Sequence, residues 1–202
     1  MDDSFLAKDW NMDLVNKAMM VGYNEWNENL FWQSLNRFGI DRKLKVKELS
    51  RGMKIKLMLS IALSHKTELL ILDEPTSGLD PSMREEFLEI ISDYMKDENH
   101  TVLFSTHITQ DLEAIADYII FIDDGEIVLS MEKDDFLNYF MILKSDSNNQ
   151  KNIDEDAVLG RKISEYSTEY LVKRADINNI PPGYVEDKIS IDRIMILYGR
   201  KK

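Results

Sequence analysis

The chain has 202 residues and a mass of 23.6 kDa, with 44% hydrophobic and 31% charged residues, which fits one globular domain with at most a small appendage. It contains no cysteine, which excludes disulfide scaffolds, thiolate metal sites and cysteine nucleophiles. The net charge of -12 argues against a protein that binds the nucleic-acid backbone, because such proteins need a basic surface.

The first part of the chain is predicted to be helical. Between residues 4 and 48, aliphatic and aromatic side chains recur at helical spacing, interrupted by polar connections near residues 23–25 and 38–41. Residues 53–64 have apolar side chains on more than one face, which predicts a largely buried helix. Ser50 stands where this helix would need an N-cap.

The middle of the chain alternates strands with helices. Residues 69–72 form a short unbroken apolar run and residues 101–105 form another, as is typical of strands covered on both faces of a parallel sheet. A helix is predicted between them, beginning at Pro81, and a shorter one over residues 108–116. This alternation predicts an α/β fold with a parallel sheet.

A hairpin and a C-terminal appendage are predicted to follow. Residues 118–129 contain two apolar runs around an Asp-Asp-Gly turn, so we expect a hairpin that adds an antiparallel edge to the sheet. The polar residues within 141–153 predict a linker. The residues before it include 14 basic and 27 acidic ones, so the strongly acidic part of the chain ends near residue 141. Beyond the linker we expect a strand at residues 168–174 and a closing helix at residues 190–198.

Two adjacent carboxylates directly follow the first predicted strand. Asp73 and Glu74 stand at its carboxyl end, where α/β sheets bind ligands, and successive strand positions point their side chains to opposite faces. One carboxylate can therefore serve a metal ion while the other faces a reactant. By itself, an acidic pair at this place is more often a solvated strand end.

Further motifs give this pair a context through their order along the chain. A Leu-Ser-Arg-Gly-Met run at residues 49–53 precedes the pair, and a Ser-Gly-Leu-Asp run at residues 77–80 follows it. His107 comes after the next predicted strand, in a Ser-Thr-His run. Each motif is ordinary alone, but their combined order and spacing are specific.

In this order the motifs closely resemble those of the ATP-binding subunits of ABC transporters, over at least residues 44–130. Residues 49–53 resemble the family's signature loop and residues 69–73 its Walker B strand. Residues 77–80 resemble the D-loop, and residues 105–107 contain the counterpart of the switch histidine. Arg51 and Met53 depart from the commonest Gly and Gln of the signature loop. The Ser-Arg-Gly-Met-Lys form is similar to bacterial exporters of drugs, bacteriocins or peptides.

The resemblance implies a role for each residue. Asp73 would hold Mg²⁺ through water, because Mg²⁺ keeps part of its hydration shell. Glu74 would orient the attacking water or accept its proton, and His107 would contact the γ-phosphate of ATP. The signature loop would begin a helix whose unpaired N–H groups suit a phosphate of ATP bound on the opposite subunit. The residues implied at the nucleotide are Leu49, Ser50, Arg51, Gly52, Met53 and, at the dimer seam, Asp80.

The sequence lacks the phosphate-binding loop of this family. That loop has the form G-x-x-x-x-G-K-[ST], and none of the eight glycines is followed by Lys. We therefore expect a partial P-loop NTPase (ABC ATPase) domain, a fragment that begins near the family's Q-loop with Asp2 or Asp3 at its Gln position. We also expect little or no ATP hydrolysis by the chain alone. The expected divisions are a helical signature subdomain (1–58), the C-terminal half of the ATPase core (59–140), the linker (141–153) and an appendage (154–202).

Partners and location are implied by the same resemblance. A second ATPase subunit would complete the ATP site in a homo- or heterodimer, and a membrane permease would bind residues 1–58. No apolar run approaches the roughly 18–20 residues of a membrane span, and the first residues are acidic, unlike a secretory signal. We therefore expect a cytoplasmic protein that is peripheral on the inner face of the cell membrane through the permease.

Three hypotheses about function remain open. The chain could belong to an ATPase subunit that powers export of a drug, peptide or bacteriocin. It could be a non-catalytic short form that docks on a permease or on a complete ATPase partner. It could act on nucleic acid or the ribosome, which the net charge of -12 disfavours. Co-purification with a permease, with a full-length copy or with RNA would separate the three.

Overall fold

The computed structural model describes residues 6–146 and 153–199. The chain forms two compact units, Met1–His107 and Ile108–Lys202. The Gln-equivalent position predicted for Asp2 or Asp3, and the Asn-rich part of the predicted linker, fall outside the described residues. In the part of the chain that is described, no helix has both the length and the apolarity needed to cross a membrane.

Three helices form the core of the first unit. They are α1 (Met12–Gly22), α2 (Glu28–Arg37) and α3 (Arg51–Leu63). Each begins after a polar N-cap whose side chain accepts a backbone hydrogen bond, which satisfies a donor that the helix leaves unpaired. The N-cap of α3 is Ser50, as predicted. Phe31 and Leu35 of α2 are fully buried in one hydrophobic cluster with Val15 of α1 and Leu57 of α3.

A parallel pair of strands follows in the same unit. Strands β1 (Leu69–Asp73) and β2 (Thr101–Ser105) pair in register, with helix α4 (Pro81–Tyr94) between them in the chain. The prediction that both faces of these strands are covered is wrong for the described residues. In that part of the chain, only the face of the strand pair that carries Leu70 is covered. On the opposite side Leu69, Ile71 and Leu103 are 52%, 64% and 51% exposed, and we call these three side chains the apolar strand face.

The second unit is built on antiparallel strands. Its helices are α5 (Thr109–Ile115), α6 (Lys133–Tyr139) and α7 (Ile191–Leu197). Its strands are β3 (Tyr118–Asp123), β4 (Glu126–Glu132), β5 (Phe140–Asp146), β6 (Val158–Ile163), β7 (Ser167–Lys173) and β8 (Tyr184–Asp187). The last four form one sheet in the order β6-β7-β5-β8. The predicted strand at residues 168–174 and the predicted closing helix are β7 and α7.

The predicted hairpin is present, but it is not an edge of the parallel sheet. β3 and β4 form a two-stranded sheet of their own, because in the described chain the strand hydrogen bonds of β3 go to β4. Asp124 and Gly125 form the turn with φ values of 48° and 82°, as a tight hairpin turn requires. The turn chemistry was therefore predicted correctly, and the partner of the hairpin was not.

The predicted linker is wrong over residues 141–146, which belong to β5. Met141, Ile142 and Leu143 are buried, so an apolar strand precedes the polar run that suggested a linker. Ser145 is buried as well, although its side chain is polar. The sequence analysis also did not predict α6, β6 and β8. The other three divisions expected from the sequence, at residues 1–58, 59–140 and 154–202, stay a prediction.

Arg193 in α7 forms ion pairs with acidic side chains of β7 and β8. Its guanidinium lies 3.0 Å from Asp187 Oδ2 and 3.3 Å from Glu169 Oε2. The Lys188 backbone N–H and the Arg193 guanidinium hold the pKa of the Asp187 carboxyl below its ordinary value. The resulting stabilisation is present above the ordinary Asp pKa of about 3.9 and is lost as the pH falls through the lowered pKa of the folded protein.

Replacing Arg193 by Ala should raise the pKa of Asp187 towards its ordinary value, as followed by carbon-detected NMR titration of that carboxyl. At neutral pH the variant should also lose about 0.5–1 kcal/mol of unfolding free energy, a modest loss because both partners are partly exposed. The loss should shrink as the pH falls below the ordinary Asp range. An Asp187 titration that is identical in the two proteins would contradict this assignment.

Candidate functional site

The ends of β1 and β2 bring the predicted catalytic side chains together. The Ser105 hydroxyl donates to Asp73 Oδ1 at 2.7 Å. The backbone N–H of Glu74 lies 3.1 Å from both the hydroxyl and the carbonyl oxygen of Ser105, and it donates to both. His107 Nδ1 lies 2.7 Å from Glu74 Oε2. The in-register parallel pairing of Asp73 with Ser105 is what places these groups side by side.

The two carboxylates of this cluster differ in environment. Glu74 Oε2, which faces His107, is shielded from solvent, although the Glu74 side chain as a whole is 37% exposed. The His107 side chain is 71% exposed, so its ring can still reach a bound molecule. The contact is an ion pair when the ring is protonated, and its geometry is not that of a hydrogen bond. Asp73 is exposed at the strand end.

The predicted signature loop lies at the start of α3. The Ser50 hydroxyl accepts a hydrogen bond from the Met53 backbone N–H at 3.2 Å, and the Leu49 side chain is buried in the helical core. Gly52 is also buried, and a Cβ at this position would lie 1.7 Å from Met83 Cε of α4. The structure therefore gives Gly52 a packing role within the chain, beside the close approach of a phosphate that the resemblance implies.

Arg51 connects this loop to the turn that follows the acidic pair. Its guanidinium donates to the Ser77 carbonyl oxygen at 2.9 Å and packs on Gly78, whose φ is 73°. The Ser77 backbone N–H in turn donates to the Glu74 carbonyl oxygen at 3.2 Å. Arg51, which stands where the family most often has Gly, is thus linked to the Glu74 backbone through the turn that contains Ser77.

Asp80 ends the same connection and is the N-cap of α4. Its side chain accepts a hydrogen bond from the Met83 backbone N–H at 3.0 Å, and Pro81 occupies the first turn of the helix. The position of Asp80 at a dimer seam stays a prediction. Its capping contact explains locally why an acidic residue stands there.

Replacing Arg51 by Ala should loosen the turn at residues 74–79. The amide protons of Ser77 and Leu79, which donate to Glu74 and Thr76, should exchange with solvent about 3- to 10-fold faster, because a hydrogen bond of about 0.7–1.4 kcal/mol is lost. Hydrogen exchange followed by NMR measures this. Lys66 is exposed in the same unit, and Lys66→Ala, which removes an equal charge, should leave both rates unchanged. Equal rates in the Arg51 variant and the unaltered chain would contradict the connection.

The donor atoms at the strand ends fit a hydrated magnesium ion rather than a closed metal cage. The described residues contain no group of three or more His, Asp or Glu side chains placed to enclose a metal ion. Asp73 offers an exposed carboxylate, oriented by Ser105, and Mg²⁺ commonly binds through one or two carboxylates while keeping several waters. The resemblance implies that a phosphate of ATP lies at the N-terminus of α3, where the Arg51 side chain adds a positive charge.

Sequence reasoning identified Asp73, Glu74 and His107 but assigned no role to Ser105. Its part in the cluster depends on the strand register, which a single sequence does not reveal. The Arg51 contact with Ser77 was likewise not predicted, because it joins two loops that are separated along the chain. The sequence did offer one signal for Ser105: it ends a predicted strand two positions before His107, at the edge of an α/β sheet where ligands bind.

Sequence comparisons agree with the motif order. The sequence profile described as "AAA domain, putative AbiEii toxin, Type IV TA system" matches residues 23–110. The chain is similar to the lantibiotic transport ATP-binding protein SrtF of Streptococcus pyogenes, with 41% identity over 126 residues, 61% of this chain and 52% of the relative. It is also similar to the linearmycin resistance ATP-binding protein LnrL of Bacillus subtilis, with 30% identity over 152 residues, 74% of this chain and 44% of the relative.

The chain spans about half the length of these curated relatives. Among solved structures it resembles an ATP-binding subunit of an ABC transporter, with a TM-score of 0.57 and 26% identity over 67% of this chain and 58% of that one. An ABC transporter in an inward-facing conformation gives a TM-score of 0.56 over 86% of this chain and 70% of that one, and at 19% identity this likeness concerns the fold alone. The fold is therefore that of a partial P-loop ATPase domain of this type.

Proposed function

We propose that this chain, a homologue of the ATP-binding proteins of ABC transporters, supplies the hydrolytic carboxylate and the signature loop of an ATPase that powers export of a drug, peptide or bacteriocin. The cluster of Asp73, Glu74 and His107 at the ends of two parallel strands carries the proposal. Carboxylates and an imidazole at that edge of an α/β sheet are placed to act on a bound phosphate ester.

Glu74 acts on water. Its Oε2 faces His107 and is shielded from solvent, so its other oxygen is the one available to orient a water molecule or accept its proton. His107, which is largely exposed, contacts both Glu74 and the terminal phosphate and so keeps the carboxylate and the phosphate in a fixed relation.

Asp73 and the signature loop bind charged groups at two different ATP sites, because the signature loop faces ATP bound on the opposite subunit. Asp73, oriented by Ser105, would hold Mg²⁺ through its water shell, and the ion would supply positive charge beside the phosphates. The N-terminus of α3, with Ser50 as its N-cap, presents backbone N–H groups to a phosphate. Leu49 and Met53 anchor the loop to the helical core, which keeps these N–H groups in place.

Other polypeptides complete the transporter. A second ATPase subunit completes the ATP site in a homo- or heterodimer, Asp80 lies at the seam between the two, and a permease binds residues 1–58 at the inner face of the cell membrane. Export is supported by relatives named for lantibiotic transport, linearmycin resistance and bacitracin transport, although one relative over 89 residues is named for thiamine import.

The pure 202-residue chain should hydrolyse MgATP no faster than buffer, because it lacks the loop that holds the phosphates. Phosphate release at saturating MgATP measures this, with Glu74→Gln as the matched blank. Turnover by the pure chain that disappears in Glu74→Gln would overturn the need for a complementing subunit.

A second function is favoured by the apolar strand face. Leu69, Ile71 and Leu103 are each more than half exposed, which is unusual for neighbouring apolar side chains on paired strands. A non-catalytic form that docks on a permease or on a complete ATPase partner would cover such a face. If a complex isolated from cells through a tag on this chain retains full ATP hydrolysis in the Glu74→Gln variant, the docking function is the better account.

A further inference from the structure

Glu74 has an unusual backbone conformation. Among the described residues, the non-glycine residues with positive φ are Glu74, at 46°, and Asp124, at 48°. Asp124 precedes Gly125 in a tight hairpin turn, where positive φ is expected. Glu74 lies outside any hairpin and precedes Pro75, and a residue before proline favours extended backbone. The left-handed conformation of Glu74 is therefore strained, and such strain persists only where surrounding contacts enforce it.

Ser105 makes the contacts that can enforce it. Its hydroxyl accepts from the Glu74 backbone N–H at 3.1 Å and donates to Asp73 Oδ1 at 2.7 Å. A serine hydroxyl has one proton to donate and lone pairs that accept, so the two bonds can form at the same time. The Ser105 carbonyl also accepts from the Glu74 N–H at 3.1 Å. One residue of β2 therefore contacts both members of the acidic pair.

We propose that the Ser105 hydroxyl is the positioning group that keeps Glu74 in the left-handed conformation and fixes the direction of the Asp73 carboxylate. In this conformation the Glu74 side chain reaches His107, with 2.7 Å between Oε2 and Nδ1. A change of Glu74 to negative φ would redirect its Cα–Cβ bond and separate the two side chains. The importance of this for hydrolysis rests on the proposed function, whereas the geometric claim does not involve ATP.

The conformation at position 74 can be measured through the relative stability of glycine and alanine there. Glycine adopts positive φ without steric cost, whereas alanine does not. Glu74→Gly should therefore unfold at a higher urea concentration than Glu74→Ala, and both variants lack the contact with His107 equally. In a Ser105→Ala background this order should vanish or reverse, because the hydroxyl contacts that favour positive φ at position 74 are then absent. Ser105→Thr, which retains a hydroxyl, should preserve the order.

Gly39 provides the matched control in the same unit. It has a φ of 66° and open space around a would-be Cβ, so Gly39→Ala carries a conformational cost without a clash. That cost should be equal in the Ser105 and Ser105→Ala backgrounds. Trp10, Trp26 and Trp32, the three tryptophans of the chain, all lie in the first unit, so their fluorescence follows the unfolding of that unit.

The outcomes separate clearly. Loss or reversal of the Gly-over-Ala order at position 74 alone, with rescue by Ser105→Thr, supports the proposal. An unchanged order in Ser105→Ala overturns it. If Ser105→Ala does not fold, the double variant Glu74→Gly with Ser105→Ala should fold, because glycine needs no enforcing contact, and failure of the double variant to fold also overturns the proposal. Because no arm requires ATP hydrolysis, failure of the proposed function would leave this test intact.

Discussion

Replacing Glu74 by Gln should lower ATP hydrolysis by the complex isolated through a tag on this chain by about 10²- to 10⁴-fold, the usual contribution of a general base. The substitution keeps the size of the side chain and can keep a contact with His107, but the amide cannot accept a proton from water. Phosphate release per complex at saturating MgATP measures the effect. Nucleotide binding and recovery of the complex should be unchanged.

Glu98→Gln is the matched control for this substitution. Glu98 is exposed in the turn after α4, in the same unit, so the variant makes an identical chemical change away from the strand ends. It should hydrolyse ATP at the unaltered rate. Equal loss of activity in both variants would mean that net charge or stability, rather than the position of Glu74, is responsible.

Replacing Phe31 by Ala should lower the unfolding free energy of the first unit by about 3–5 kcal/mol. The Phe31 side chain is fully buried, with ring centroids 5.2 Å from Trp26 and 5.1 Å from Trp32, so the substitution leaves a large cavity between aromatic rings. Urea unfolding followed by far-ultraviolet circular dichroism measures the loss, since the fluorescence of both tryptophans would change with their surroundings.

Leu30→Ala is the control on the same helix. Leu30 is 38% exposed, so Leu30→Ala removes far less buried surface and should lower the unfolding free energy by less than about 1 kcal/mol. Comparable losses in the two variants would show that α2 does not pack through Phe31. Because typical domains have only about 5–15 kcal/mol of stability, the Phe31 variant should also unfold at a clearly lower temperature.

The local elements were largely predictable from the sequence, because each depends on neighbouring residues. Helix α3, with Ser50 as its N-cap, the two parallel strands and the Asp-Gly turn all follow from short-range patterns. Strand β5 was missed because its buried run lies directly before polar residues that indicate a linker. Its burial depends on pairing with β7 and β8, which lie far along the chain.

The candidate site was predictable in its members but not in its contacts. Adjacent strand and loop motifs identified Asp73, Glu74 and His107. The hydroxyl of Ser105 joins the acidic pair only because β1 and β2 pair in register, and the Arg51 guanidinium reaches Ser77 only because α3 and the turn before α4 lie close together. Such contacts are properties of packing, which a single sequence does not specify. The positive φ of Glu74 is likewise a consequence of its surroundings.

The central claim is that this chain presents its signature loop to an ATP site completed by another subunit. Vanadate occupies the place of the terminal phosphate in such sites, and near-ultraviolet light then cleaves the backbone beside it. In the tagged complex trapped with MgATP and vanadate, mass spectrometry of this chain should show cleavage within residues 50–52, and the pure chain treated identically should show none. A complex that hydrolyses ATP and traps vanadate, yet leaves residues 50–52 intact, would contradict the account.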